Sequence, residues 1–376
     1  MADNNNTGQE KNEEKTTKKK WSGKKKAALA IIIAVCVAAA IAITYFAVMR
    51  YFNSKLDQID RIDIGSAEDN YSETVVEAEE EEEEPEVTYT TIAFFGIDNR
   101  SNGSFESGNS DAIMVVAIND VTKEVRVASV YRDTYLCVSE GKFRKANYAY
   151  NAGGPTAAIT MLQKNLDLQI SDYIAVDFNA LVEIIDLLGG IDVEVTEAEA
   201  NEMYVFINET AAQTGTYSSP ISAGYQTLDG VQAVAYARIR KLAGNDYGRA
   251  ERQRKVVSLM LKKMKKASYS TLLSILNAVV DDISTSMTNT EMIDYAKDIK
   301  SYSIKKTVGF PFEKTTDTPS STIGSIVIAC DLVTNVEELH EFLYPEEEGY
   351  EPTETVKYYS QSIIDQLGPY TATDEE

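Results

Sequence analysis

The sequence predicts an α/β protein: a single extracellular α-β-α domain with a mixed central sheet, preceded by one transmembrane helix. Three observations point there. Strand-like and helix-like segments interleave from Thr88 to Tyr344 with no internal repeat and no clear break, as expected of one layered domain. Near the N-terminus, Ala27 to Met49 carries no charge and follows six lysines between Lys18 and Lys26. Acidic residues crowd the flanks: the run Glu79–Glu84 lies before the interleaved region, and Glu346, Glu347, Glu348, Asp374, Glu375 and Glu376 follow it.

Taken in chain order, residues 1–26 are polar and read as a cytoplasmic tail. Residues 27–49 are long enough, at 1.5 Å per residue, to cross a hydrocarbon core about 30 Å thick, and read as a membrane helix. Tyr45, Phe46, Tyr51 and Phe52 give it an aromatic border, and the lysines before it put the N-terminus inside and the rest of the chain outside. The chain is thus expected in the cell membrane as a single-pass protein. Residues 50–87 read as an acidic extracellular stalk, because adjacent carboxylates repel one another and offer nothing to bury. Residues 88–344 form the predicted domain. Residues 345–376 read as an acidic C-terminal tail.

Within the domain, Thr88–Phe95 is β-branched and aromatic and stops at Gly96, as a strand would. Ile113–Ile118 and Val125–Val130 suit an antiparallel hairpin. Pro155 fits the first turn of a helix whose buried face is Ala158, Ile159, Leu162 and Leu166. Tyr173–Phe178 reads as a strand, Ala180–Leu188 as a helix closed by Gly189 and Gly190, and Ile191–Val195 as a strand. Helices are expected over Gly248–Lys266, Thr271–Ile283 and Glu291–Tyr302. A strand is expected over Ser325–Cys330, then a helix over Thr334–Leu343 with Thr334 and Glu337 as a capping box.

Composition narrows the chemistry. With 59 acidic against 36 basic residues the net charge is −23, which argues against a nucleic-acid binder. The single histidine, His340, rules out His-base triads and multi-histidine metal sites, and reads as a surface or packing residue. The three cysteines cannot make a disulfide framework, and sequence leaves open whether Cys137 and Cys330 pair.

Charged residues recur beside apolar strand ends, where ligand sites of α/β sheets form. Asp98 and Arg100 follow the first strand, Asp111 opens the second, and Arg132 and Asp133 close the third. In AYARIRK, read as a strand, Arg238 and Arg240 share a face. In the next helix Arg249 and Gln253 head the stripe of Val256, Met260 and Met264. A charge heading a buried stripe needs a partner. A phosphate or pyrophosphate at the helix start supplies one, and an internal Arg/Asp network around Asp246 is the structural alternative. Asp98 and Asp111 are then placed to hold Mg²⁺ or Mn²⁺ against phosphate oxygens.

Seven blocks in order resemble the LytR-CpsA-Psr family of cell-wall glycopolymer transferases: FFGIDNR, NSDAIMVVAIND, SVYRDTY, KANYAYNAGG, DYIAVDFNALVEIIDLLGGIDVEV, QTLDGVQAVAYARIRK and DYGRAERQRKVV. The resemblance implies transfer of a glycopolymer, of teichoic acid or capsular polysaccharide type, from a polyprenyl pyrophosphate carrier to peptidoglycan. It implies Asp98 and Asp111 as metal-linked aspartates, and Arg132, Arg238, Arg240 and Arg249 as pyrophosphate ligands completed by Lys145, Asn147, Asp246 and Gln253. Asp98 or Asp246 serves as base. Two positions depart from the pattern: Asn109 stands where an arginine is common, with Arg100 as its candidate substitute, and Tyr131 stands where proline is usual. The same parts also suit a polyprenyl pyrophosphate hydrolase or a non-catalytic lipid-carrier scaffold.

Overall fold

The computed structural model describes residues 47–65, 87–98, 104–240, 242 and 245–372, without the side chains of Asn245 and Asp246. The chain divides into two units, Met1–Ser54 and Lys55–Glu376. Of the first unit residues 47–54 are described, and they are helical. The expected membrane helix at 27–49 therefore lies outside the described residues except for its last three. Among the described residues no helix is long and apolar enough to cross a membrane.

The second unit is built on a seven-stranded sheet in the order β1-β10-β7-β2-β3-β4-β11. These strands are β1 (Asp60–Arg61), β2 (Tyr89–Asp98), β3 (Asn109–Asn119), β4 (Glu124–Val130), β7 (Asp172–Val176), β10 (Ile283–Thr285) and β11 (Ser303–Phe310). The sheet is mixed: β2–β3 and β3–β4 are antiparallel, whereas β7 pairs parallel with β2 and β11 parallel with β4. Strands β2 and β3 hold β-branched and aromatic residues on both faces, so each face needs a helical cover.

On one face Phe95, Ile97, Val115, Ala128 and Val130 pack with helices α1 (Asn147–Leu166), α8 (Leu332–Leu343) and α9 (Glu354–Leu367). Helix α1 breaks at Gly153 and Gly154 and restarts at Pro155, the residue expected to open it. On the other face Ile92, Met114, Val125 and Val127 meet α5 (Asn245–Met264) and α7 (Asn289–Asp298). A satellite core joins the hairpin β8 (Ile191–Val195) and β9 (Gly224–Leu228) to helices α2 (Phe178–Leu187), α3 (Glu197–Thr214) and α4 (Gly230–Arg238). Two further ribbons are β5 (Tyr135–Ser139) with β6 (Lys142–Lys145), and β12 (Lys314–Asp317) with β13 (Ile326–Ala329). Helix α6 (Tyr269–Val279) closes a small cluster with Leu56 and Ile59.

Three expectations are corrected, and the open question of the two cysteines is answered. The stretch assigned to the stalk begins as folded chain: Leu56, Ile59 and Ile64 are buried and Asp60–Arg61 adds a parallel strand to β10. Residues 66–86, which hold the glutamate run, lie outside the described residues. The segment from 345 to 376, expected as a solvated tail, contains α9, whose Val356 and Ile363 enter the main core. Its acidity concealed an amphipathic stripe. Asp167 fixes the approach to it, accepting from Tyr350 Oη at 2.7 Å, Thr353 N at 2.8 Å and Thr353 Oγ1 at 2.7 Å. Helix α8 starts at Leu332 rather than Thr334, because the Asp331 carboxylate is the stronger cap, accepting from Val333 N at 3.0 Å and from Thr334 Oγ1 at 2.9 Å. Cys137 and Cys330 are both free thiols.

His340 is a packing residue. It is buried, stacks on Tyr350 with ring centroids 3.5 Å apart, and its Nε2 lies 2.9 Å from the Leu166 carbonyl oxygen. Burial lowers its pKa from the ordinary imidazole value.

Ile363→Ala is expected to cost about 2–5 kcal/mol in denaturant unfolding of the full chain. A loss within about 0.5 kcal/mol, the range of a surface substitution, would restore the solvated-tail reading.

Candidate functional site

The site is built at the end of the sheet where β2 and β4 finish and β3 begins. Along β2 and β3 the pairing slips: Ile97 faces Ser110 and Gly96 faces Ala112, so Asp111 is the extra residue of a β-bulge. Asp98 faces Asn109 in the next register position. The two aspartates thus sit on neighbouring strands at one sheet end, offset by the bulge.

Asp111 is held from two sides. Arg132, just past β4, donates from Nη1 to Oδ1 at 2.7 Å, and Arg240 donates from Nη2 to Oδ2 at 3.3 Å. Arg132 also reaches Asp133 through Nε at 3.3 Å, and Lys145 Nζ lies 2.9 Å from the other Asp133 oxygen. The 131–134 segment is a tight turn, with Thr134 N donating to Tyr131 O at 2.9 Å. It is tied to the start of α1 by Asn147 N donating to Arg132 O at 3.0 Å and Ala146 N to Thr134 O at 2.8 Å. That tie explains why Lys145 and Asn147, remote in sequence, arrive beside Arg132.

Arg238 and Arg240 do not share a strand. Residues 230–238 form α4, capped by Asp229, whose carboxylate accepts from Gln232 N while the Gln232 side chain accepts from Asp229 N. The helix ends at Arg238, and Ile239 is extended (φ −57, ψ 131). The two arginines consequently diverge. Arg238 turns to α3, donating from Nη2 to Glu209 at 2.9 Å and from Nη1 to Thr210 Oγ1 at 2.9 Å, above the rings of Phe178 and Phe206. Arg240 reaches Asp111.

Helix α5 keeps the expected stripe, with Arg249 3% exposed and Val256 4% exposed. Gln253 is half-buried one turn after Arg249. Arg252 is buried as well: its Nη2 donates to Ile239 O at 2.9 Å, which fixes the α4–α5 connection, and burial lowers its pKa. Asp246 falls in the first turn of α5, where its carboxylate is not described; Arg100 lies wholly outside the described residues.

Sequence reasoning left several residues out of the candidate site. Asp133 is 7% exposed and carries both Arg132 and Lys145; its type and position were visible, but its inward direction depends on the turn. Tyr131 and Tyr247 meet edge to face at 4.6 Å, Lys314 Nζ lies 4.8 Å from the Tyr247 ring centre, and the Tyr247 and Thr316 hydroxyls are 2.9 Å apart. These pairs bring the β12–β13 ribbon to the site, and no local pattern announces them.

Among the described residues no group of three His, Cys, Asp or Glu side chains is arranged to hold a metal. Asp98 and Asp111 offer two hard oxygen donors. That set fits an ion sharing its shell with phosphate oxygens, as Mg²⁺ does, and does not fit a closed protein cage.

The family model described as the LytR_cpsA_psr family matches residues 59–327, more than half of the sequence. The chain belongs to this family. The polyisoprenyl-teichoic acid–peptidoglycan teichoic acid transferase TagU of Enterococcus faecalis is 32% identical over 214 residues, 56% of this chain and 66% of TagU. The match thus spans just under two thirds of that relative's length. Among solved structures, protein gbs0355 of Streptococcus agalactiae superposes with a TM-score of 0.57 at 25% identity, covering 73% of this chain and 95% of its own. The LytR-CPS2A-psr family protein YwtF (TagT) with bound octaprenyl pyrophosphate lipid gives a TM-score of 0.51 at 20% identity, covering 70% and 93%. The α/β fold with a mixed sheet is therefore the fold of this family.

Asp133→Ala strips Arg132 and Lys145 of a mostly buried partner and is expected to cost about 1–3 kcal/mol in denaturant unfolding. A change below about 0.5 kcal/mol would show that the turn holds its shape without the carboxylate.

Proposed function

We propose that the chain is a membrane-anchored phosphotransferase that moves a glycopolymer, of teichoic acid or capsular polysaccharide type, from a polyprenyl pyrophosphate carrier to peptidoglycan outside the cell. The observation that carries this reading is the convergence of Arg132, Arg240 and Lys145 on Asp111 and Asp133, with Arg249 buried at the head of α5. Such a cluster gains most from a polyvalent anion. The family relationship and the lipid pyrophosphate seen on the solved relative YwtF support the same ligand class.

In this mechanism Arg132, Arg240 and Arg249 bind the pyrophosphate, and Lys145, Asn147 and Gln253 orient it. Arg238, although part of the same motif, braces α3 against α4 through Glu209. When bound between Asp98 and Asp111, Mg²⁺ or Mn²⁺ would neutralise charge on the phosphates. Asp98 or Asp246 takes the proton of the attacking sugar hydroxyl, and the arginines stabilise charge that develops at the reacting phosphorus. Binding requires Arg132 to exchange part of its Asp111 pairing for phosphate oxygens. That exchange carries a desolvation cost because the pair is mostly buried, whereas the more exposed Arg240–Asp111 pair exchanges more cheaply.

The test is transfer of labelled lipid-linked polymer by the full chain, with and without peptidoglycan. Label is expected on peptidoglycan, lost on chelation and restored by Mg²⁺. Arg132→Ala and Arg249→Ala are each expected to weaken lipid pyrophosphate binding at least about tenfold, about 1.4 kcal/mol. Release of label to water alone would contradict transfer in favour of hydrolysis. Metal-independent binding without turnover would contradict catalysis altogether.

A further inference from the structure

Edge strand β11 begins among lysines, in a chain whose net charge is −23. Lys300, Lys305 and Lys306 are exposed. The pairing with β4 slips between Ile304 and Lys306, so Lys305 is the extra residue of a bulge and Lys306 faces Arg126. Two more elements bring lysines to the same corner. Ser303 N donates to Lys123 O at 3.1 Å, which ties in the β3–β4 turn. Lys265 Nζ donates to Tyr302 O, which ties in the C-terminal end of α5, with the exposed Lys266 next in sequence.

Carboxylate partners are fewer. Lys123 Nζ lies 3.7 Å from Asp298 Oδ2, and Lys305 Nζ lies 2.8 Å from Glu124 Oε1. Asp120, in the same turn as Lys123, accepts from the hydroxyls of Thr88 and Thr90. Lys266, Lys300 and Lys306 make no ion pair among the described residues. Like charges gathered in this way raise the local potential and attract anions. Lysine also guards outer strands against pairing with other chains, but that role calls only for Lys305 and Lys306. Lys123, Lys265, Lys266 and Lys300 come from outside the strand.

Shape and placement select the partner. Ile304 packs into the cluster under α5 and α7, whereas Lys306 pairs in register with Arg126, whose guanidinium lies over the Phe342 ring of α8. Paired residues of neighbouring strands share a face. The lysines therefore wrap the sheet edge from the α5 side to the α8 side. A flat bilayer meets one side of such an edge, and a flexible polymer can follow both. The corner is also remote from the chain's entry into the domain, where Leu56 and Ile59 pack with Val176 at the Asp98 end of the sheet. Strand β4 runs from Glu124 at this corner to Val130 beside Arg132, seven residues or roughly 20 Å.

We propose that this lysine corner binds the body of an anionic glycopolymer, a chain of phosphodiester repeats, at a surface separate from the Arg132 site. The choice of polymer rests on the transferase reading. Each exposed lysine contributes little alone, but contacts made by successive repeats of one chain reinforce one another, because every contact after the first is intramolecular.

The experiment measures binding of lipid-free poly(glycerol phosphate) to the full-length protein, to the triple variant Lys266→Gln/Lys300→Gln/Lys306→Gln and to the matching arginine triple, over a range of salt concentrations. Wild-type affinity is expected to fall steeply with salt, and the glutamine triple to bind at least about tenfold more weakly with a shallower salt dependence. The arginine triple is expected to bind as the wild type does, and octaprenyl pyrophosphate affinity to be unchanged in both. Edge protection alone predicts unchanged polymer affinity and self-association of the glutamine triple in light scattering, a result that would overturn the proposal. Preference of the wild type for phosphatidylglycerol vesicles over the polymer would overturn it in favour of a membrane contact. If the glutamine triple does not fold, Lys300→Gln/Lys306→Gln decides by the same measure. Failure of the wild type to bind the polymer defeats this surface alone, whereas the transferase reading is decided separately by label reaching peptidoglycan.

Discussion

Asp111 is the residue on which the geometry of the site depends. It is the extra residue of the β2–β3 bulge, and it joins Arg132 from the end of β4 to Arg240 from the α4–α5 connection. Three elements far apart in sequence are thereby fixed at one sheet end. The Arg132 pair is the firmer: its side chains are 16% and 21% exposed, whereas Arg240 is 46% exposed and its pairing is screened by water. The arrangement is consequently stiff on the β4 side and yielding on the α4–α5 side.

Around that joint, the sheet and its helices divide the labour. The face under α1, α8 and α9 is closed by large apolar side chains and by the Asp167 and His340 contacts that pin the C-terminal segment. The face under α5 and α7 keeps its own apolar cluster of Ile92, Met114, Val125 and Val127. On α5 burial lowers the pKa values of Arg252 and Arg254, because it disfavours their charged forms.

Much of this was legible in the sequence, because strands β2, β3, β4, β7 and β8 are dense in β-branched residues and end at glycine or charge. The α5 stripe from Arg249 to Val256 was equally plain. The strand assigned to Arg238–Arg240 failed for a local reason: AVAYARI suits either period, and the deciding signal, Asp229 with Gln232 as a capping box, lies upstream. Mean acidity hid α9, since net charge says nothing of the spacing of Val356 and Ile363. The hairpin that delivers Lys145 and the inward turn of Asp133 are tertiary facts, fixed by strand register and helix placement. Family resemblance could name Lys145 but not explain how it arrives.

The central claim is that this cation cluster receives a lipid pyrophosphate beside an ion held by Asp98 and Asp111. It is tested most directly by a crystal structure of the protein with octaprenyl pyrophosphate and Mn²⁺, using anomalous scattering to locate the metal. The account predicts a metal peak bridging Asp98, Asp111 and phosphate oxygens, with Arg132 and Arg240 turned onto the phosphates. Pyrophosphate bound elsewhere, with Asp111 still paired to both arginines and no metal beside it, would contradict it.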